Sequence, residues 1–223
     1  MNLSLSESQT LLLESTQRFS AERLAPFAKE RENNHAISHD TIREMGNQGL
    51  LAVNLPGELG GSEAGVVAYA LAVREVAKGD ASVAVTMAVT NMVGEVLLKF
   101  GTPDQHREHI PKLASGEYFG GAFGLSEPGA GSDAGALQAK AVQDGDDWVI
   151  NGQKQWITTG DQAGVIVVWA RTSDDGAKGI TCFLVRGDAE GLTAGKPEEK
   201  MGLNASHTVS LIFENVRVPK ENQ

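Results

Sequence analysis

The spacing of apolar residues changes near residue 116, and no other feature of the chain restricts its fold as strongly. Upstream the spacing is helical, with one face recurring every few residues. Leu5, Leu12 and Phe19 fall on one such face. Val66, Ala70, Val73 and Ala77 fall on another, with Gly79 as a stop. Asp80 can cap a further helix whose face carries Val83, Met87, Val93 and Leu97 and which ends at Gly101. Thr102-Pro103-Asp104-Gln105 has the form of a capping box, with Pro at the first helical position and Gln at the third. The stretch Leu55-Pro56-Gly57-Glu58-Leu59-Gly60-Gly61 cannot continue a helix and reads as a loop.

Downstream the signals are those of strands. Leu137, Ala139 and Ala141 alternate with Gln138, Lys140 and Val142, and a turn at Asp144-Gly145-Asp146 leads to Trp148-Val149-Ile150. Asn151-Gly152 is the residue pair of a tight hairpin, which would fold that run against Gln155-Trp156-Ile157. Val165–Ala170 and Ile180–Val185 are continuous apolar runs, and Val209–Phe213 is a last strand. No amphipathic helix separates these strands, so a parallel βαβ sheet is not expected. The reading is α+β: an all-helical domain over residues 1–116, then an antiparallel sandwich or barrel over residues 117–223.

Composition narrows the function classes. The net charge is −10 with no block of Lys or Arg, which argues against a nucleic-acid surface. A single cysteine, Cys182, lies in an apolar run and reads as a core thiol, so neither an internal disulfide nor a cysteine metal site can form. Of the five histidines only His35 and His39 are spaced as ligands, and Ser38 with Asp40 marks a helix start there, so no metal is expected. The polar Met1–Thr10 has no apolar signal core, and no stretch approaches the roughly 18 apolar residues of a membrane span. A soluble cytoplasmic protein is the expectation.

Two segments carry candidate chemistry. Phe123-Gly124-Leu125-Ser126-Glu127-Pro128-Gly129-Ala130-Gly131-Ser132-Asp133 combines glycines, which let backbone approach a ligand, with exposed N–H and hydroxyl groups. Its glycine spacing does not match a dinucleotide fingerprint, and a strand rather than a helix follows. On spacing alone a structural loop fits as well as a ligand loop. The second segment is Gln153-Lys154-Gln155-Trp156-Ile157-Thr158-Thr159-Gly160. Its Trp can stack on a planar ring while a Thr bonds the ring edge, although a core Trp on a strand is the plainer reading. Glu127 reads as a structural hydrogen-bonder rather than a base.

Leu125–Asp133 together with Gly152–Thr158 resembles the signature segments of the acyl-CoA dehydrogenase family, at that family's separation. Leu55–Gly61, Phe100-Gly101-Thr102, Leu113–Glu117, Lys200-Met201-Gly202-Leu203 and Phe213–Pro219 resemble it too, with a lean toward short-chain members. The resemblance implies FAD as cofactor, held by Phe123, Leu125, Ser126, Gly131 and Ser132 and by Trp156, Ile157 and Thr158. Leu125 and Ser126 would bond the pyrimidine edge, Trp156 would pack on the ring, and Thr158 would place its hydroxyl near N5. Ser132 and, less directly, Ser206 would contact the acyl-CoA. Thr159 departs from the family's common Asn and Asn204 from its common Arg, which weakens the assignment around Ser206.

The implied reaction is α,β-dehydrogenation of an acyl-CoA thioester, with electron transfer flavoprotein as acceptor and a homo-oligomer, a tetramer in intact members, as the assembly. The family's catalytic Glu belongs to a C-terminal helical domain that would begin beyond Gln223, so no residue here is assigned as the base. Other readings stay open: one subunit of a split dehydrogenase, an acyl-CoA oxidase-like flavoenzyme, or a non-catalytic flavin or acyl-CoA binding module.

Overall fold

The structure, a computed structural model, describes residues 4–223 and divides into two compact units. The first runs to Phe119 and takes back the segment Lys200–Ser206. It contains helices α1 (Glu7–Phe19), α2 (Ala28–Asn34), α3 (His39–Asn47), α4 (Gly65–Gly79), α5 (Ala81–Phe100) and α6 (Pro103–Ser115). The second comprises Gly120–Glu199 and His207–Gln223.

Local chemistry sets most helix ends. Ser6 and Gln9 form a capping box on α1, so Leu5 lies outside the helix and is exposed; of the expected face only Leu12 and Phe19 turn inward. Thr102 and Gln105 form the expected box on α6. Gly79 ends α4 as expected, but not through a left-handed cap: a Cβ there would lie 2.3 Å from Ser20 Oγ, so the glycine permits close approach of the neighbouring turn. Asp80 caps α5 by accepting from Ser82 N at 2.9 Å and Val83 N at 3.3 Å, and its other oxygen accepts from buried Arg31 Nε at 2.7 Å. Arg31 also donates to the Leu24 carbonyl, which leaves the guanidinium dependent on both partners.

Helix α5 corrects one expectation. An 18-residue window of its 20 residues reaches a mean hydropathy of 1.6, long and apolar enough to cross a membrane by that measure, and 56% of that window is buried within the fold. Small and hydroxyl residues interleaved with Val, Leu and Met had hidden the run. Asn91, inside it, spends its amide on Val53 N–H and on the Leu50 and Met87 carbonyls, as a core helix residue does.

The second unit holds one seven-stranded sheet: β1 (Gly121–Gly124), β2 (Lys140–Asp144), β3 (Asp147–Thr158), β4 (Val165–Arg171), β5 (Ile180–Arg186), β6 (Leu192–Ala194) and β7 (Thr208–Pro219). The path is β1-β4-β2-β3-β7-β6, with β5 paired to β4. Most pairs are antiparallel as expected, but β1 and β2 each pair with β4 in parallel, so the sheet is mixed. The parallel pairing needs no crossover helix because β2 and β3 themselves carry the chain from β1 to β4. Ile166, Val168 and Ala170 of β4 point into a core shared with Ile150, Ile157, Phe183 and Phe213.

The expected hairpin at Asn151-Gly152 does not form. Strand β3 runs straight through it, and the pair sits at a register shift against β7. Gly152 has φ +144°, and a Cβ would lie 2.7 Å from the Ala139 Cα, so glycine is required by close strand approach. Asn151 Oδ1 accepts from Asn215 N at 2.8 Å and pins the bulge. The turn expected at Asp144-Gly145-Asp146 does form, with Gly145 at φ +65° between β2 and β3. Of the alternating run from Leu137, only Lys140 onward becomes strand; Leu137–Ala139 is irregular and follows a short 3-10 turn at Ala134–Ala136.

Two outcomes follow. Asp80→Ala is expected to lower the unfolding free energy by about 3–5 kcal/mol, because it strands a buried guanidinium as well as removing a cap. A urea-unfolding loss no larger than the cap alone, about 1 kcal/mol, would show that the ion pair carries no weight. Burial pushes the Cys182 thiol up to about 12. Its native-state reaction with a disulfide reagent at mildly alkaline pH is therefore expected to be about a thousandfold slower than in denaturant, since only the thiolate attacks.

Candidate functional site

Everything in the site is built from the second unit around β3 and the loop that follows β1. Within that loop Glu127-Pro128-Gly129-Ala130 is a tight turn closed in both directions, Glu127 N to Ala130 O at 2.8 Å and Ala130 N to Glu127 O at 3.1 Å. Glu127 is buried and accepts three further hydrogen bonds: from Gln138 N at 2.6 Å, Ala139 N at 3.0 Å and Lys154 Nζ at 2.7 Å. It is the structural acceptor that its sequence context suggested. Lys154 is fully buried and donates a second bond to the Leu125 carbonyl at 3.1 Å. Gln155 N donates to Ser126 O at 2.8 Å, so two successive residues of β3 fasten the loop. Burial pulls the Lys154 ammonium below the ordinary lysine range, and the Glu127 carboxylate opposes that shift.

The loop leaves groups available on its outer side. Neither Gly129 nor Gly131 has a positive φ, and a Cβ at either would meet no atom within 4 Å. Nothing in the protein requires glycine at these two positions, and the space beside them is open to a ligand. Among the described residues, the hydroxyls of Ser126, Ser132 and Thr158 and the N–H of Ser126 make no hydrogen bond. The loop leads to the 3-10 turn and β2 rather than to a helix, so it is not a dinucleotide loop.

A second irregularity in β3 presents the aromatic. The register against β7 shifts between Lys154 and Ile157, and within that bulge Trp156 adopts φ +62°. A bulky residue in the left-handed region stores about 1–2 kcal/mol. The result is an indole left 61% exposed near the C-terminal end of a long strand. Ile157 points the other way into the core, so only its backbone can face a ligand. Thr158 is half-buried. Thr159 follows at φ +63°, with a buried hydroxyl that has no partner. Its N–H donates to the His207 carbonyl at 2.9 Å and its carbonyl accepts from Ala163 N at 2.8 Å. Phe123 lies on β1 with its ring centroid 4.3 Å from that of Trp169.

The structure thus collects Phe123, Leu125, Ser126, Gly131, Ser132, Trp156, Ile157 and Thr158 in one unit. Ser206 belongs to the other unit, with a buried, unpartnered hydroxyl. There Asn204 donates from its backbone and side-chain nitrogens to the two carboxylate oxygens of Glu32, at 2.9 and 2.7 Å, anchoring the returning segment. His39 Nε2 lies 2.8 Å from the Gly116 carbonyl and His35 closes α2 in the left-handed conformation. Sequence reading missed Lys154 and Trp169. The signal for Lys154 was a charged residue at an inward strand position, concealed by the polar run Asn151–Gln155; for Trp169 it was the face of β4 opposite the core.

Asn occupies the left-handed region at little cost and Thr does not. Thr159→Asn is therefore expected to stabilise the chain by about 1 kcal/mol in urea unfolding, and a loss of stability would show that the Thr side chain makes a compensating contact.

Comparison with known proteins agrees with this architecture. Residues 6–117 match the family described as acyl-CoA dehydrogenase, N-terminal domain, and residues 122–216 the family described as acyl-CoA dehydrogenase, middle domain. The human mitochondrial short-chain specific acyl-CoA dehydrogenase is 42% identical over 226 residues, covering 99% of this chain and 54% of that protein. Butyryl-CoA dehydrogenase from Megasphaera elsdenii superposes with a TM-score of 0.94 at 36% identity, covering 100% of this chain and 59% of that one. A glutaryl-CoA dehydrogenase from Mycobacterium smegmatis in complex with FADH2 gives 0.91 at 34% identity, covering 98% and 55%. A chain in a structure described as the electron transferring flavoprotein of Acidaminococcus fermentans gives 0.96 at 38% identity, covering 100% and 59%. The chain spans about half the length of the curated relatives it matches. By both family matches and by the fold itself, it belongs to the acyl-CoA dehydrogenase family.

Proposed function

We propose that this polypeptide supplies the flavin-contacting part of an acyl-CoA dehydrogenase, acting in the α,β-dehydrogenation of an acyl-CoA thioester. The observation that carries the reading is the open cradle beside Trp156: free donors on Ser126, Ser132 and Thr158, and two glycines whose open side no protein atom fills. Those groups suit a planar heteroaromatic ring with a polar edge and a phosphate-bearing tail. FAD, the cofactor the reading implies, supplies a hydride acceptor when bound. Trp156 would cover one part of the ring, Ser126 would donate to its carbonyl edge, and Ser132 would lie toward the polar tail or the acyl-CoA.

In the reaction the α-proton leaves to a carboxylate, the β-hydrogen leaves with its bonding pair as hydride, and a Cα–Cβ double bond forms. Glu127 cannot be that carboxylate, because it is buried and holds three donors besides its own turn. The chain's part is to bind, orient and keep water from the ring. A short acyl chain, an electron transferring flavoprotein as acceptor and a homo-oligomeric assembly belong to the same proposal. The similarity to short-chain specific and butyryl-CoA dehydrogenases supports the first, and that to the Acidaminococcus fermentans structure the second.

Titrating FAD with the chain is expected to quench flavin fluorescence saturably, with Trp156→Ala weakening the affinity about tenfold or more. Failure of the unsubstituted chain to quench FAD at any concentration would remove the basis for the reading.

A further inference from the structure

We propose that Lys154 is the positioning residue of this site: its buried ammonium fixes the Leu125–Ser126 peptide and polarises it, so that the Ser126 N–H is held toward the electron-rich edge of the bound ring. The inference rests on the flavin reading above. Lys154 Nζ donates to the Leu125 carbonyl at 3.1 Å and to Glu127 Oε1 at 2.7 Å. The Leu125 carbonyl and the Ser126 N–H are opposite ends of one peptide group. A cation at the oxygen end draws electron density from the nitrogen end and strengthens the N–H as a donor.

The neighbouring peptide is already committed. Ser126 O accepts from Gln155 N at 2.8 Å, and Glu127 N donates to Ala130 O at 2.8 Å. Of the two N–H groups at Ser126 and Glu127, only that of Ser126 faces away from a protein acceptor. Glu127 in turn is anchored by Gln138 N and Ala139 N, so the ammonium has a fixed counter-ion and cannot drift.

Stability alone does not call for this arrangement. Apolar residues of similar volume generally serve a core as well as a buried ion pair does, or better. What the pair adds is direction: bonds from β3 that set where the loop backbone lies. The dependence on Lys154 is therefore separable from its contribution to folding.

The test uses the chain as it is, with Glu127→Gln and the double variant Lys154→Met/Glu127→Gln. Glu127→Gln leaves a buried ammonium without its counter-ion and is expected to lower the urea midpoint; the double variant removes the charge and is expected to recover most of that loss. FAD affinity, read by fluorescence quenching, is expected to remain about tenfold or more below that of the unsubstituted chain in the double variant. Recovery of affinity in step with stability would overturn the proposal. Hydrogen exchange without FAD provides a second readout: the amides of Glu127 and Ala130, which donate across the turn, are expected to exchange faster in the double variant while β3 stays protected. Unchanged loop exchange would also overturn it. If the unsubstituted chain binds no FAD yet the loop amides still exchange faster in the double variant, the flavin reading falls and the positioning role stands.

Discussion

A buried ammonium–carboxylate contact, Lys154 to Glu127 at 2.7 Å, joins the two segments on which the site depends. It lies between a strand and a loop that are far apart in sequence, and both partners are removed from water. Isolated charges cannot be left there, so each fixes the other. Glu127 then orders the backbone leading to β2, and Lys154 orders the backbone leaving β1. Those bonds hold the loop without using the Ser126 N–H or the hydroxyls of Ser126 and Ser132.

Strand β3 achieves the complementary effect through its two departures from regular pairing. At Asn151-Gly152 a glycine without a side chain lets the strand pass close to Ala139. At Gln155-Trp156 the bulge turns an indole outward and turns Ile157 into the core. Left-handed backbone at Trp156 and again at Thr159 brackets Thr158. Residues in such conformations persist where the surrounding structure over-determines them, which here means pairing with β7 up to Thr158, the loop bond from Gln155 N to Ser126 O and a core that fills with Ile157.

The helix ends were legible in the sequence because their signals are local, whereas the α4 face read from spacing, Val66, Ala70, Val73 and Ala77, is largely exposed and Ala68, Ala72 and Val76 are buried in its place. Thr102 with Gln105, Asp80 ahead of Ala81, and Ser38 ahead of His39 mark helix starts by chemistry that acts over three or four residues. The sheet was legible only as a set of strands. Asn-Gly serves a hairpin turn and a bulge equally well, and the choice at Asn151-Gly152 rests on Asn215 and Ala139, more than ten residues away in the chain. Parallel pairing of β1 with β4 is likewise a long-range fact. At the site, the motif residues could be named from resemblance, but the role of Lys154 required the register of β3. The return of Lys200–Ser206 to the helical unit, anchored by Asn204 on Glu32, left no periodic trace.

The central claim is that the β3 bulge and the Glu127–Lys154-fastened loop together form one ring-binding surface. The three tryptophans report on it separately, since Trp148 donates its indole N–H to Gln223 and Trp169 packs on Phe123. In a nitrogen–proton correlation spectrum titrated with FAD, the account predicts saturable shifts of the Trp156 indole and the Ser126 amide, with the Trp148 indole unmoved. Shifts confined to Trp148, or none at Trp156 and Ser126, would contradict it.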